Sequence, residues 1–141
     1  MDHVAIMKKS LGFLEKIVSE DKTIESRWYS TRRTPWNKIN SGEIVFFQNS
    51  SSPVTIKTQV SKVLQFENLT PEKIKEILTK YGEQIDIEDT EQFFQTVKDK
   101  KYCILIFLED VQPVKPFFIN KKGFGMMSAW ISVENISSIK R

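Results

Sequence analysis

The chain is poor in the residues that build metal centres, crosslinks and membrane spans: it has one cysteine, one histidine and no apolar run longer than Tyr102–Leu108. The lone Cys103 can form no internal disulfide, and its place inside that run marks it as a buried, inert thiol. His3 is the only histidine and no second cysteine exists, which excludes a zinc-type centre. Near the outer end of a first strand, His3 reads as a surface or structural side chain. No Gly-rich phosphate loop or nucleophile elbow occurs, and Gly123-x-Gly125 alone does not make one, so no cofactor is expected. No segment approaches the length of a membrane span. The N-terminal residues Met1 to Lys9 lack the apolar stretch of a signal peptide, so the expectations are no membrane contact and a cytoplasmic location. Five glycines and five prolines, with 40% apolar and 28% charged residues, describe an ordinary globular chain. Without repeats or low-complexity stretches, residues 1–141 are expected to form a single domain.

What the chain does have is a local concentration of positive charge. The net charge of +3 is mild and excludes a general polyanion-coating protein. Between Lys22 and Lys38, however, lie five bases and one acid, while all other residues together carry −1. Lys22, Arg27, Arg32 and Arg33 alternate there with Trp28, Tyr29 and Trp36. Guanidinium and ammonium groups neutralise phosphates and ring faces receive unstacked bases, so this composition suits a nucleic-acid surface or a small-nucleotide pocket.

Around this stretch the pattern alternates between strand and helix periods. Val4–Met7 reads as a first strand. Ser10 is a plausible N-cap for a helix with Leu11, Leu14 and Val18 at helical spacing, widened by Phe13 and Ile17. From Thr23 the chain is extended, with Thr23, Glu25, Arg27 and Tyr29 on one face and Ile24, Ser26 and Trp28 on the other. Asn40-Ser41-Gly42 is a turn that opens a strand over Glu43–Gln48, and the loop Asn49–Pro53 joins it as a hairpin to Val54, Ile56, Thr58 and Val60. Leu64 and Phe66 extend that phase in a long, curving strand of the kind small barrels use.

Thr70-Pro71-Glu72 starts a helix with Ile74, Ile77, Leu78 and Tyr81 as its buried stripe and Gly82 as its stop. The base-free segment Glu83–Glu91 reads as a solvated connector, since its acids lack calcium-loop spacing. Asp89 with Gln92 resembles a capping box for a short helix. Tyr102–Leu108 is expected as a buried central strand, Val111–Pro116 as an interruption and Phe117–Ile119 as another edge or barrel strand. Ser132–Ile139 closes the chain as a strand or short helix. The fold class is α+β.

Lys22-x-x-Glu25-x-Arg27-Trp28, placed after an amphipathic helix and before a strand entered through Gly42, resembles the ASCH family of the PUA-like superfamily. The likeness runs from about Val4 to Phe66, and more loosely from Tyr102 to Trp130. It implies a small PUA-like β-barrel with flanking helices, in which the Lys-x-x-Glu-x-Arg signature lines a cleft. One departure stands out: the family often carries glycine two residues before the lysine, and here that residue is Glu20.

Three functions follow as alternatives. The resemblance first implies binding of RNA, another single-stranded nucleic acid, or a nucleoside or nucleotide. Lys22, Arg27, Arg32 and Arg33 would then meet phosphates, and Trp28, Tyr29, Trp36 or Phe124 would stack bases. Glu25 would be neutralised by Lys22 and Arg27 or accept from a base amino group. Some family members are amidohydrolases on acylated cytidine or cleave RNA, which implies a hydrolase with Glu25 as base and Lys22 stabilising charge. The amidohydrolase type has Thr in place of Glu25. The third alternative is a protein-interaction module that grips an acidic partner through the Trp28–Trp36 loop. The oligomeric state is not readable.

Overall fold

The structure, a computed structural model, describes residues 1–141. Six strands form one mixed sheet, curled into a half-barrel: β1 (Asp2–Met7), β2 (Ile24–Tyr29), β3 (Ile44–Asn49), β4 (Val54–Phe66), β5 (Tyr102–Phe117) and β6 (Trp130–Val133). Their order is β2-β5-β4-β3-β1-β6, with β1 parallel to β3 and every other pair antiparallel. Three helices accompany it: α1 (Phe13–Val18), α2 (Pro71–Ile85) and α3 (Thr90–Val97). No helix is long and apolar enough to cross a membrane. The expected α+β barrel-like architecture is present, but the sheet does not close through hydrogen bonds between β2 and β6.

The pleat sorts the core into layers. Met7, Val45, Phe47, Ile56, Ile104 and Ile106 fill the inside of the curl with Leu14 and Ile17 of α1. The opposite faces of β2 and β5 pack Ile24, Cys103 and Leu105 against Ile74, Ile77 and Leu78 of α2 and Phe94 and Val97 of α3. β5 is thus covered on both sides, as its continuous apolar run requires. Cys103 is fully buried there, and burial pushes its thiol far up.

Several boundaries differ from the sequence reading. Lys9–Leu11 is a 3₁₀ turn, and Gly12, at φ 67, restarts the chain as α1. Leu11 and Val18 are therefore exposed, while Leu14 and Ile17 alone carry the buried stripe. A bulge at Ser61 in β4 reverses the alternation, so Val60 and Val63 face the inside of the curl and Leu64 and Phe66 the helices. Leu64 and Phe66 do not continue the phase of Val60. α2 runs through Gly82, because Ile85 completes its stripe, and stops at Asp86 in the left-handed region. β5 passes through Val111–Pro116 without interruption. Its pairing with β2 ends at Phe107, so Pro113 and Pro116 sit where β5 has a free edge that needs no amide donor.

The caps at Thr70 and Asp89 form as read: each side chain accepts from the amide three residues on. The departure at Glu20 is also explained. Glu20 follows α1 at φ 66, the conformation glycine adopts without strain, so the turn into β2 is kept at a conformational cost. Glu20→Gly is expected to stabilise the protein by about 0.5–1 kcal/mol, raising Tm by about 2–4 °C in a thermal melt.

His3 is fully buried on β1. Its Nδ1 accepts from Trp130 Nε1 (3.2 Å) and lies 2.8 Å from Ser132 Oγ, while Nε2 faces Glu43 Oε1 at 2.8 Å. The indole is a donor only, which assigns the proton to Nε2 and leaves the ring neutral. Burial holds its pKa below the ordinary value despite the pull of Glu43. A depressed histidine contributes stability that is complete above the unfolded value near 6.5 and lost as pH falls through it, because only the unfolded chain then takes up the proton. Urea midpoints should therefore drop between about pH 6.5 and 5 in the native protein, and His3→Gln should flatten that limb.

Candidate functional site

Lys22, Glu25 and Arg27 meet on the inner face of β2. Glu25 is 3% exposed; its Oε1 faces Lys22 Nζ at 3.3 Å and its Oε2 accepts from Arg27 at 2.9 Å. The ammonium also donates to the carbonyl oxygens of Ile24 and Ile85, both at 2.9 Å, so three acceptors surround its three hydrogens. Arg27 donates to Ala129 O (3.3 Å) and reaches Met7 Sδ (3.4 Å), with its guanidinium over the Trp130 ring. The chain before β6 and the end of β1 are thereby tied to β2, and a side chain spans the gap that the sheet leaves open.

Burial sets the electrostatics. It lowers the Lys22 pKa against the opposing pull of Glu25. It would raise that of Glu25, but Arg27 and Lys22 together outweigh it and hold the carboxyl below its usual range. Burial also raises Tyr29, whose hydroxyl donates to Thr34 O.

This network forms part of the wall of an open cavity of about 780 Å³. The cavity wraps the free edge of β2. Phe13 and Leu11 of the α1 segment line it on one side of the sheet, and Gln92, Phe93 and Thr96 of α3 on the other. Trp28 meets Phe93 edge to face, with ring centres 6.0 Å apart, and its Nε1 donates to Ser26 Oγ. Lys8, Lys16 and Lys100 stand at the cavity with Asp86, Glu88 and Asp89. Five bases and four acids line it in all, so it is a nearly charge-balanced pocket.

Of the sequence-derived candidates, Lys22, Glu25, Arg27, Trp28 and Tyr29 line this cavity and Arg32, Arg33, Trp36 and Phe124 do not. Arg32 pairs with Glu67 on the surface and lies over Trp36 and Tyr102. Trp36 packs on the inner core, edge to face with Tyr102. Arg33 is exposed, and Phe124 packs on the third apolar cluster beside Ile131 and Ile139. Sequence reading missed Phe13, Phe93, Lys8, Lys16, Lys100 and Ala129. The one available signal was the pair Phe93-Phe94: on a short helix both cannot face the core, and Phe93 is the one left at the cavity.

The curled sheet and its helices define an ASCH-type fold. The chain is similar to the ASCH protein of Zymomonas mobilis, at 17% identity over 99% of this chain and 96% of that one, with a TM-score of 0.70. A mutant of that protein gives 18% identity over 97% and 91% of the two chains at the same TM-score. A hypothetical protein, PH0355, is similar over 81% of this chain and 100% of its own, with 20% identity and a TM-score of 0.53. No family model matches the chain, and no curated protein matches it in sequence. The chain has the fold of the ASCH proteins.

Glu25 is the counter-charge for two buried cations. Glu25→Gln leaves both without it and should cost about 3–5 kcal/mol in urea unfolding. Lys22→Met orphans two carbonyls but leaves Glu25 paired with Arg27, and should cost about 1–3 kcal/mol. Glu25, depressed in the fold, adds stability present above an unfolded value near 4.3 and lost as pH falls through the folded value.

Proposed function

We propose that the cavity at Lys22, Glu25 and Arg27 binds a nucleotide, either free or as an unpaired position of single-stranded RNA. The observation that carries this reading is the placement of the fixed Lys22–Glu25–Arg27 network in the wall of a 780 Å³ cavity flanked by Trp28, Phe93 and Phe13. Rings supply stacking surfaces, worth about 1–3 kcal/mol per base. Lys8 and Lys100, neither of them in a salt bridge, supply phosphate contacts at the mouth. The size and the near balance of charge favour one nucleotide over a long phosphate track. The nucleic-acid association implied by the ASCH resemblance points the same way.

Hydrolysis through Lys22 is disfavoured by its surroundings. An ammonium whose hydrogens already face Ile24 O, Ile85 O and Glu25 has none left for a developing oxyanion. The protein-interaction alternative loses one of the loop's aromatics, since Trp36 is engaged with Tyr102 and the core.

Titration of tryptophan fluorescence with the four ribonucleoside 5′-monophosphates and with single-stranded RNA should give saturable binding. Trp28→Leu should weaken it by about 1–3 kcal/mol, and Lys100→Gln by about 1 kcal/mol in low salt with a shallower salt dependence. Arg33→Gln, outside the cavity, should change little. Binding that survives both cavity substitutions unchanged would sink this reading.

A further inference from the structure

β2 is an edge strand, and its unpaired side opens into the cavity. Thr23 O accepts from the Leu108 amide and Tyr29 O from the Lys101 amide, so the odd-numbered residues of β2 turn their backbone groups toward β5. The N–H and C=O groups of Ile24, Ser26 and Trp28 therefore point the other way. Lys22 Nζ bonds the Ile24 carbonyl on that side and closes the first of these positions. Ser26 and Trp28 have no backbone or side-chain partner there, and both residues line the cavity.

An extended residue with a free edge presents one donor and one acceptor side by side in the plane of the sheet. Phe93 flanks that plane on one side and Phe13 on the other. We infer that the free edge of β2 at Ser26 reads the pairing edge of a nucleobase: Ser26 N–H donates to a ring or exocyclic acceptor, and Ser26 C=O accepts from the adjacent N–H. The inference rests on the nucleotide reading of the cavity and adds how the base is held. The base lies coplanar with the sheet, between the two ring-bearing walls, as a further strand would lie if the walls admitted one. Because the same two backbone atoms suit any base with neighbouring donor and acceptor, the reader is tolerant of base identity. It is intolerant of anything that blocks the pairing edge, including a complementary strand.

The test uses the intact chain and compares each 5′-monophosphate with its counterpart methylated at the pairing-edge ring nitrogen, alone and within a single-stranded oligonucleotide. Methylation removes the donor or the acceptor at one atom and should weaken binding at least about tenfold, and a duplex of the same sequence should not compete. Ser26→Pro deletes a single amide hydrogen that the β2–β5 ladder does not use, which edge strands tolerate. It should weaken binding at least about tenfold relative to Ser26→Ala, which loses the same hydroxyl but keeps the backbone amide. Methylated and parent nucleotides binding alike, or Ser26→Pro binding as Ser26→Ala does, overturns the inference and leaves nucleotide binding intact. Absence of binding by every unmethylated nucleotide, as monophosphate and within RNA, overturns both. If Ser26→Pro does not fold, the methylated series on the native protein decides alone.

Discussion

The structure depends on a single carboxylate that cannot be left alone. Glu25 is almost wholly buried, and an unpaired charge in that position would cost several kcal/mol. Its two counter-ions are each tied to other parts of the chain. Lys22 reaches the last carbonyl of α2, and Arg27 reaches the backbone before β6 and the sulfur at the end of β1. One electrostatic requirement thus joins four segments distant in sequence. The gap between β2 and β6 needs no ladder of hydrogen bonds because a guanidinium spans it, with Trp130 beneath.

The same saturation changes what the charges can do. Read in isolation, an ammonium and a guanidinium in a cleft invite assignment as phosphate ligands. Once Lys22 is surrounded by three acceptors and Arg27 by the Glu25 carboxylate, a carbonyl and a thioether, they act mainly as fasteners. They hold β2 and its free backbone edge in place at the cavity wall. Groups fixed in advance lose little freedom when a ligand arrives, and this rigidity is what a small polar site needs. The cavity lysines engaged in no salt bridge are Lys8 and Lys100.

Much of this was legible in the residues, for identifiable reasons. The alternation over Thr23–Tyr29 placed Glu25, Arg27 and Tyr29 on one face and Ile24, Ser26 and Trp28 on the other, which the two cores bear out. The helix caps at Thr70 and Asp89 were readable because capping is local chemistry. The bulge at Ser61 was not, since the residues around it show no break in alternation; the turn arises from pairing with β5, a non-local event. The long β5 was hidden for a similar reason. Prolines read as interruptions until one knows that the neighbouring strand has already ended. At the site, charge clustering pointed both to Lys22–Tyr29, whose residues meet at the cavity, and to Arg32, Arg33 and Trp36, which do not line it. Proximity along the chain does not survive the loop that turns those residues away, and Trp36 is held instead by Tyr102. The wall contributed by α3 lies more than sixty residues downstream, where only the doubled phenylalanine hints at it.

An exposed strand edge is a hazard, because it templates pairing with another chain. In β2 that hazard is met piece by piece. Lys22 covers the Ile24 carbonyl, Arg27 carries the inner face across to β1 and the start of β6, and the α1 and α3 walls stand on either side of the remaining backbone groups. A second strand would need a longer free run than Ser26 to Trp28 offers, and would have to enter between Phe13 and Phe93. A planar heterocycle needs only one residue's donor and acceptor and gains from the rings that obstruct a chain. The arrangement that protects the edge from association therefore also suits the small flat ligand proposed for this cavity, and both features depend on Glu25 and its two buried partners holding the strand in place.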